Sequence, residues 1–245
     1  MKPSTKIGSP KSSRQQSTDV ESVLATLKRL GTKKTRDGMA RYAITSDKAF
    51  GVTVGELKQL SKRLGKNHDL ALALWDTGWY EARMLAGFVG EPDRVTPALM
   101  DRWCRDFDNW AICDHTCFHL FDRTAHAFRK VEEWAKRSNE FEKRAAFALL
   151  ASLGVHDKRA SDDAFAKCLP LVEAAATDDR NFVKKGVNWA LRVIGRRSKE
   201  LNEAAVKLSQ KLSTSQNPAA RWIGKDALRE LTGPVVSRKL KSRKS

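Results

Sequence analysis

The sequence predicts an all-α protein, a solenoid of antiparallel helix pairs, and three observations carry that expectation. Apolar residues recur at helical spacing in one segment after another. Pro and Gly are sparse, seven and fourteen in 245 residues, and runs of alternating β-branched residues are few. One helical pattern returns about every 30–40 residues, the period of helical-repeat arrays. A 41% hydrophobic content that includes ten Phe and seven Trp supplies an ample core.

Taken in order, residues 1–17 are basic, rich in Ser and Pro, and expected to be disordered. From Thr18 the run Thr18-Asp19-Val20-Glu21 opens a capped helix, with Val20, Val23, Leu24 and Leu27 on one face. Lys33 to Phe50 is less regular. Gly51-Val52-Thr53 leads into a helix lined by Leu57, Leu60 and Leu64. Asp69–Trp75 and Trp79–Val89 form a helical pair around the Gly78 break. Thr96-Pro97 starts the next helix, since Pro is tolerated in a first turn, and Met100 and Trp103 anchor it. A central segment, Asn109–Phe121, follows. Ala127–Ser138 then pairs with Glu140–Leu153, and Ala164–Ala176 with Asn181–Ile194. Leu201–Leu212 and Asn217–Leu231 come last, before a basic tail over residues 234–245. The expected organisation is one repeat domain, 18–233, between two basic tails.

Aligning the inner helices makes the repeat explicit. Glu81-Ala-Arg83-Met-Leu-Ala-Gly-Phe-Val89 matches Glu142-Lys-Arg144-Ala-Ala-Phe-Ala-Leu-Leu150. Val183-Lys-Lys185-Gly-Val-Asn-Trp-Ala-Leu191 is a third copy, and Ala220-Arg-Trp222-Ile-Gly-Lys-Asp-Ala-Leu228 a looser fourth. The central helix fits the same frame. Equivalent positions are then Arg83, Asp114, Arg144, Lys185 and, one residue out of register, Arg221. In a stack that curves, these positions line one concave groove. It would be basic at every rung except the one that carries Asp114.

The charge supports a polyanionic partner. The first 17 residues carry +4 and the last twelve +5 with no acid in either, and removing both from the formal +17 leaves +8 for residues 18–233. The repeat region is basic in its own right, so nucleic acid is the natural partner. A merely solvated basic surface is the plainer alternative. No stretch approaches the roughly 18–20 apolar residues needed to span a bilayer. Met1 to Ser17 lacks the hydrophobic region of a secretory signal. A soluble cytoplasmic protein is expected.

Trp110 and Asp114 stand four residues apart in Asp106–Asp122, so a helix puts an indole and a carboxylate on one face. Trp189 lies one turn after Lys185, and both indoles can face the groove. A basic track with interleaved aromatics suits phosphate contact and packing on sugar and base surfaces. The plainer alternative makes Trp110 and Trp189 core residues and gives Asp114 a cap or an arginine to pair with. Cys104, Cys113, Cys117 and Cys168 make no disulfide framework. Cys113/Cys117 and His115/His119 are spaced i, i+4 but point to opposite sides of one helix. With no CxxC or HExxH spacing, a metal site is not expected, and buried thiols with partly exposed histidines are.

From about Met39 to Leu231 the chain resembles the bacterial DNA alkylation repair proteins of the HEAT-repeat glycosylase type. The segments that carry the likeness are Asp108-Asn109-Trp110 with Asp114, Lys143-Arg144-Ala145, and Lys184-Lys185-Gly186-Val187-Asn188-Trp189-Ala190-Leu191-Arg192. The resemblance implies an all-α superhelix that excises cationic N3- and N7-alkylated purines from duplex DNA. It implies a cleft of two tryptophans and an aspartate, which fall on Trp110, Trp189 and Asp114. A backbone-holding arginine falls on Arg144, with Arg192 a further candidate, and Tyr42 is the nearest match to an N-terminal cleft aromatic. It also implies that the base stays in the stack, whereas most enzymes acting on bases extrude them.

The chemistry this requires is small. A cationic purine leaves without prior protonation, so no general acid is needed, in contrast to sugar hydrolases. Asp114 would stabilise the oxocarbenium-like sugar and position water, and an indole face would add cation–π attraction. Arg83, Arg144, Lys184, Lys185, Arg192, Arg221 and Tyr42 form the expected DNA-contact set, which fixes register without reading sequence. No lysine is placed to form a Schiff base, so a monofunctional glycosylase that needs no cofactor is expected, acting as a monomer with no obligate protein partner. The rivals are a non-catalytic relative that binds branched or distorted DNA and a repeat scaffold that binds protein. A nucleotide- or metal-dependent enzyme fits least, for want of a phosphate-cradling Gly loop.

Overall fold

The structure, a computed structural model, describes residues 13–44 and 46–242, with side chains from Val20 onward. Packing divides the chain into two compact units, residues 1–91 and 92–245.

The first unit holds α1 (Ser13–Leu30), α2 (Lys33–Met39), α3 (Val54–Leu64), α4 (His68–Asp76) and α5 (Tyr80–Val89). The irregularity expected after Lys33 resolves into the short α2 and a single 3-10 turn, Ala40–Tyr42. α3 starts on a full capping box, in which the Thr53 hydroxyl accepts from Glu56 N–H and the Glu56 carboxylate accepts from Thr53 N–H. α4 and α5 pack as a pair across Gly78, whose φ of 72° suits a residue without a side chain. Glu81 on α5 is fully buried and accepts the N–H groups of Phe50, Gly51 and Val52 at 2.9, 2.7 and 3.1 Å. One carboxylate thereby satisfies the donors of a whole loop.

The second unit holds α6 (Pro97–Arg105), α7 (Trp110–His119), α8 (Ala127–Trp134), α9 (Glu140–His156), α10 (Asp162–Ala166), α11 (Leu169–Ala175), α12 (Asn181–Ile194), α13 (Lys199–Ser213), α14 (Pro218–Leu231) and α15 (Pro234–Ser242). α7, α9, α12 and α14 stack in that order, each against the next, and α8 and α13 pack on α9 and α14 as their pair partners. Residues 144–154 of α9 are all buried because α6, α7, α8 and α12 surround it. Outside the stack, Asp101 accepts from Lys130 (2.7 Å), Trp134 Nε1 (2.8 Å) and Arg137 (2.6 Å), tying α6 to α8. Sheet structure is absent among the described residues.

Two expectations need correction. α1 begins at Ser13, not Thr18, because nothing between Pro10 and Thr18 breaks a helix; the expectation for residues 1–12 lies outside the described residues. The helix expected over 164–176 is two, α10 and α11, parted at Lys167–Cys168 ahead of Pro170, which sits in the first turn of α11. The C-terminal basic segment is helical through Ser242, and Val236 is buried.

Candidate active site and nucleic-acid interface

The site starts from a cap. Asn109 is buried, and its side-chain oxygen accepts the N–H groups of Ala111 (3.0 Å) and Ile112 (3.1 Å), while its amide donates to Asp108 (2.7 Å). That fixes Trp110 as the first residue of α7 and puts Asp114 one turn later. Trp110, Asp114 and Phe118 are each half-buried, while Ile112, Cys113, Thr116 and Cys117 are buried. The 110–114–118 stripe is therefore the side of α7 that reaches solvent. Cys113 and Cys117 face α9, their thiols directed at the carbonyls of Phe141 and Ala145. Of the two histidines expected to be partly exposed, His119 is and His115 is buried.

Asp114 is paired. Arg144 of α9 grips it with both prongs, Nε to Oδ1 at 2.9 Å and Nη2 to Oδ2 at 2.7 Å. The third bond of Arg144 goes from Nη1 to the Phe182 carbonyl of α12 at 2.6 Å. Its side chain is 8% exposed and that of Asp114 is 19% exposed. Both partners are thus largely packed away, and the Asp114 side chain is the more exposed of the two. Burial lifts the Asp114 carboxyl above its ordinary range, and Arg144 pulls against that rise. Burial opposes the charge on Arg144 as well, but Asp114 outweighs it and holds the guanidinium above its ordinary value.

The sequence alignment makes Arg144 a phosphate contact; the structure makes it the partner of Asp114. The reason is the repeat itself. Stacking α9 on α7 in register sets equivalent positions side by side, and at this rung they carry opposite charge. For Asp114, then, the plainer alternative of an arginine pair is what the structure contains.

The next seam has the same logic. Lys184, Asn188 and Arg192 follow one another at single turns along α12. They meet Trp222, Asp226 and Glu230 of α14: the Lys184 ammonium lies 5.3 Å from the Trp222 ring centre, Asn188 donates to Asp226 at 2.8 Å, and Arg192 to Glu230 at 2.6 Å. Lys184 and Arg192 are engaged in this seam. The expected alignment set Lys185 against Trp222; the observed register is one residue different. Lys185 is exposed, and Trp189, one turn on, is half-buried. Arg221 donates to the carbonyls of Ser215 (2.8 Å) and Gln216 (3.4 Å). Of the remaining expected contacts, Arg83 and Tyr42 belong to the first unit. The Arg83 guanidinium lies over Trp75 at 5.3 Å, and Tyr42 is exposed.

Sequence reasoning passed over Trp222, which is 41% exposed. The signal was present: Trp222 and Asp226 repeat the four-residue spacing of Trp110 and Asp114. Among the described residues no group of three or more His, Cys, Asp or Glu is arranged to hold a metal ion. No helix among them is long and apolar enough to cross a membrane.

Stacked helix pairs, with a paired carboxylate and two indoles on their half-buried faces, define the class as a helical-repeat protein. The family model for DNA alkylation repair enzymes matches residues 23–231. The chain belongs to that family. One similar solved structure is described as a new family of proteins related to the HEAT-like repeat DNA glycosylases with affinity for branched DNA structures. It is 22% identical, covers 86% of this chain and 94% of its own, and superposes with a TM-score of 0.72. The all-α, HEAT-like repeat fold is thereby shared. No curated protein matches the chain.

Proposed function

We propose that this protein is a monofunctional DNA glycosylase that releases cationic N3- and N7-alkylated purines from duplex DNA. The observation that carries the proposal is Asp114, part-exposed, gripped at both carboxylate oxygens by Arg144 and preceded on the same half-buried stripe of α7 by Trp110 one turn away. Family membership supports it.

The reaction asks little of the protein. The C1′–N bond breaks, its electron pair leaves with the purine, which becomes neutral, and positive charge grows on the sugar. A fixed carboxylate near that sugar stabilises the charge as it develops. Asp114 also accepts a hydrogen bond from the water that adds to C1′ and loses a proton. Arg144 acts as a positioning residue: its two-pronged grip orients both carboxylate oxygens and holds them charged despite burial. Trp110 and Trp189 offer faces to the cationic nucleotide. Lys185 is the exposed cation best placed on α12 for phosphate contact. Duplex DNA with alkylated bases is the partner, bound by a monomer without a cofactor.

A second reading is binding of branched DNA without catalysis. Two observations favour it: Arg144 already neutralises the charge on Asp114, and the similar solved structure is described with affinity for branched DNA. The test is single-turnover release of 7-methylguanine and 3-methyladenine by the wild type. Release supports the glycosylase. A folded, DNA-binding protein that releases neither base supports the second reading.

A further inference from the structure

The C-terminal helix lies beyond the residues that the family model matches, 23–231. Val236 of α15 is buried, which anchors the helix, and Lys239, nearly one turn on, is exposed toward a cavity of about 450 Å³. That volume falls within the roughly 300–1,000 Å³ of small-molecule pockets. Four cations line the cavity, Lys158, Arg196, Arg197 and Lys239, over a floor that includes Gly154 and Val193; no carboxylate lines it. It opens at the C-terminal ends of α9 and α12. Gly154 lies ten residues along α9 from Arg144, about 15 Å at helical rise, so the cavity is separate from the Asp114 site.

Helix ends explain part of this charge. Arg197 donates to the carbonyls of Gly154 (3.1 Å), Asp157 (2.9 Å) and Ala160 (3.2 Å), and its guanidinium stacks on Phe165 at 3.9 Å. Lys158 donates to the Val155 carbonyl at 2.5 Å. Both are suited to the negative end of α9. Arg196 stands likewise at the negative end of α12, whereas Lys239 is delivered by a separate helix. Glu230 lies 3.1 Å from Arg196 and Asp162 lies 4.0 Å from Arg197. Four cations therefore line one open volume whose lining residues include no carboxylate. Arg197 is fixed in place by its three carbonyls and Phe165, so part of the positive charge is preorganised.

We infer that this cavity is a phosphate-binding site, closed on one side by α15. Its ligand is a phosphate group, supplied either by a nucleic-acid backbone or by a free phosphate ester. The inference stands apart from the glycosylase reading, because its test reads no base release.

The test compares the full chain with Lys158→Ala/Lys239→Ala, and with Lys225→Ala as an exposed lysine outside the cavity. Inorganic pyrophosphate is titrated calorimetrically at low salt, and duplex DNA affinity is measured against salt. The wild type and Lys225→Ala should bind pyrophosphate, and the double variant should bind it at least about tenfold more weakly with an unchanged melting temperature. A slope of log affinity against log salt that is shallower by about 1–2 in the double variant assigns the phosphate to DNA. Lost pyrophosphate binding with an unchanged slope assigns it to a free ester. Absent pyrophosphate binding with an unchanged slope overturns the site, as does equal weakening in Lys225→Ala.

Discussion

Arg144 is where the account is most exposed at the scale of single residues. Removing it leaves Asp114 charged in a largely buried place, so Arg144→Ala should cost about 3 kcal/mol of stability. Arg144→Met combined with Asp114→Asn should recover much of that loss in denaturant unfolding, because the unpaired charge is gone. The raised carboxyl of Asp114 has a kinetic sign too: release should fall on acidification through a pKa above the ordinary 3.8. Asp178 behaves oppositely. Hydrogen bonds first from Arg180 and then from Lys143 (3.1 Å) hold its carboxyl down at about 2. A depressed pKa stabilises fully above the unfolded value of 3.8, and that contribution fades as pH falls through about 2. With its solvent-exposed edge discounted it is worth about 1 kcal/mol. Asp178→Asn should therefore melt below the wild type at pH 7, and the gap should close near pH 2. That Trp110 and Asp114 share one face of α7 was legible in the sequence, because i, i+4 spacing suffices to place them. The Arg144 pair was not: it depends on which residues of two helices meet, and an alignment by apolar positions treats equivalent rungs as parallel rather than touching.

Helix by helix, several N-termini were legible, though the cap expected at Thr18 falls inside α1. Thr53, Thr96 and Asn109 cap where local chemistry says they should, since a cap needs only its own next three residues. The break between α10 and α11 was less so, because the apolar period runs through Pro170 unbroken. Close helix contacts were invisible. A Cβ on Gly224 of α14 would stand 2.2 Å from Ser213 N and 2.6 Å from Leu212 C, both backbone atoms of α13 that cannot swing aside. Gly224→Ala should thus destabilise by about 2 kcal/mol despite its higher helix propensity, read as a lower denaturant midpoint. A neutral outcome would mean that α13 and α14 do not pack this closely.

Across the whole molecule, the fold class was readable because the helical period and the repeat recur along the chain. The formal +17 is spread beyond the terminal segments, which is why polyanion binding followed without any motif. The division into two compact units was not readable, since the connection between Val89 and Pro97 looks like the other short loops between helices. Duplex affinity should fall steeply with salt, by a log–log slope of about 0.9 per phosphate contacted. A protein-binding scaffold would show almost none of this dependence.

The central claim is that Asp114 carries chemistry, and single-turnover release of 7-methylguanine from a duplex tests it most directly. The wild type is compared with Asp114→Asn, with DNA affinity measured in parallel. Release should collapse in the variant while binding holds or improves, because the amide keeps the shape and loses the charge. Equal release by the variant would contradict that claim.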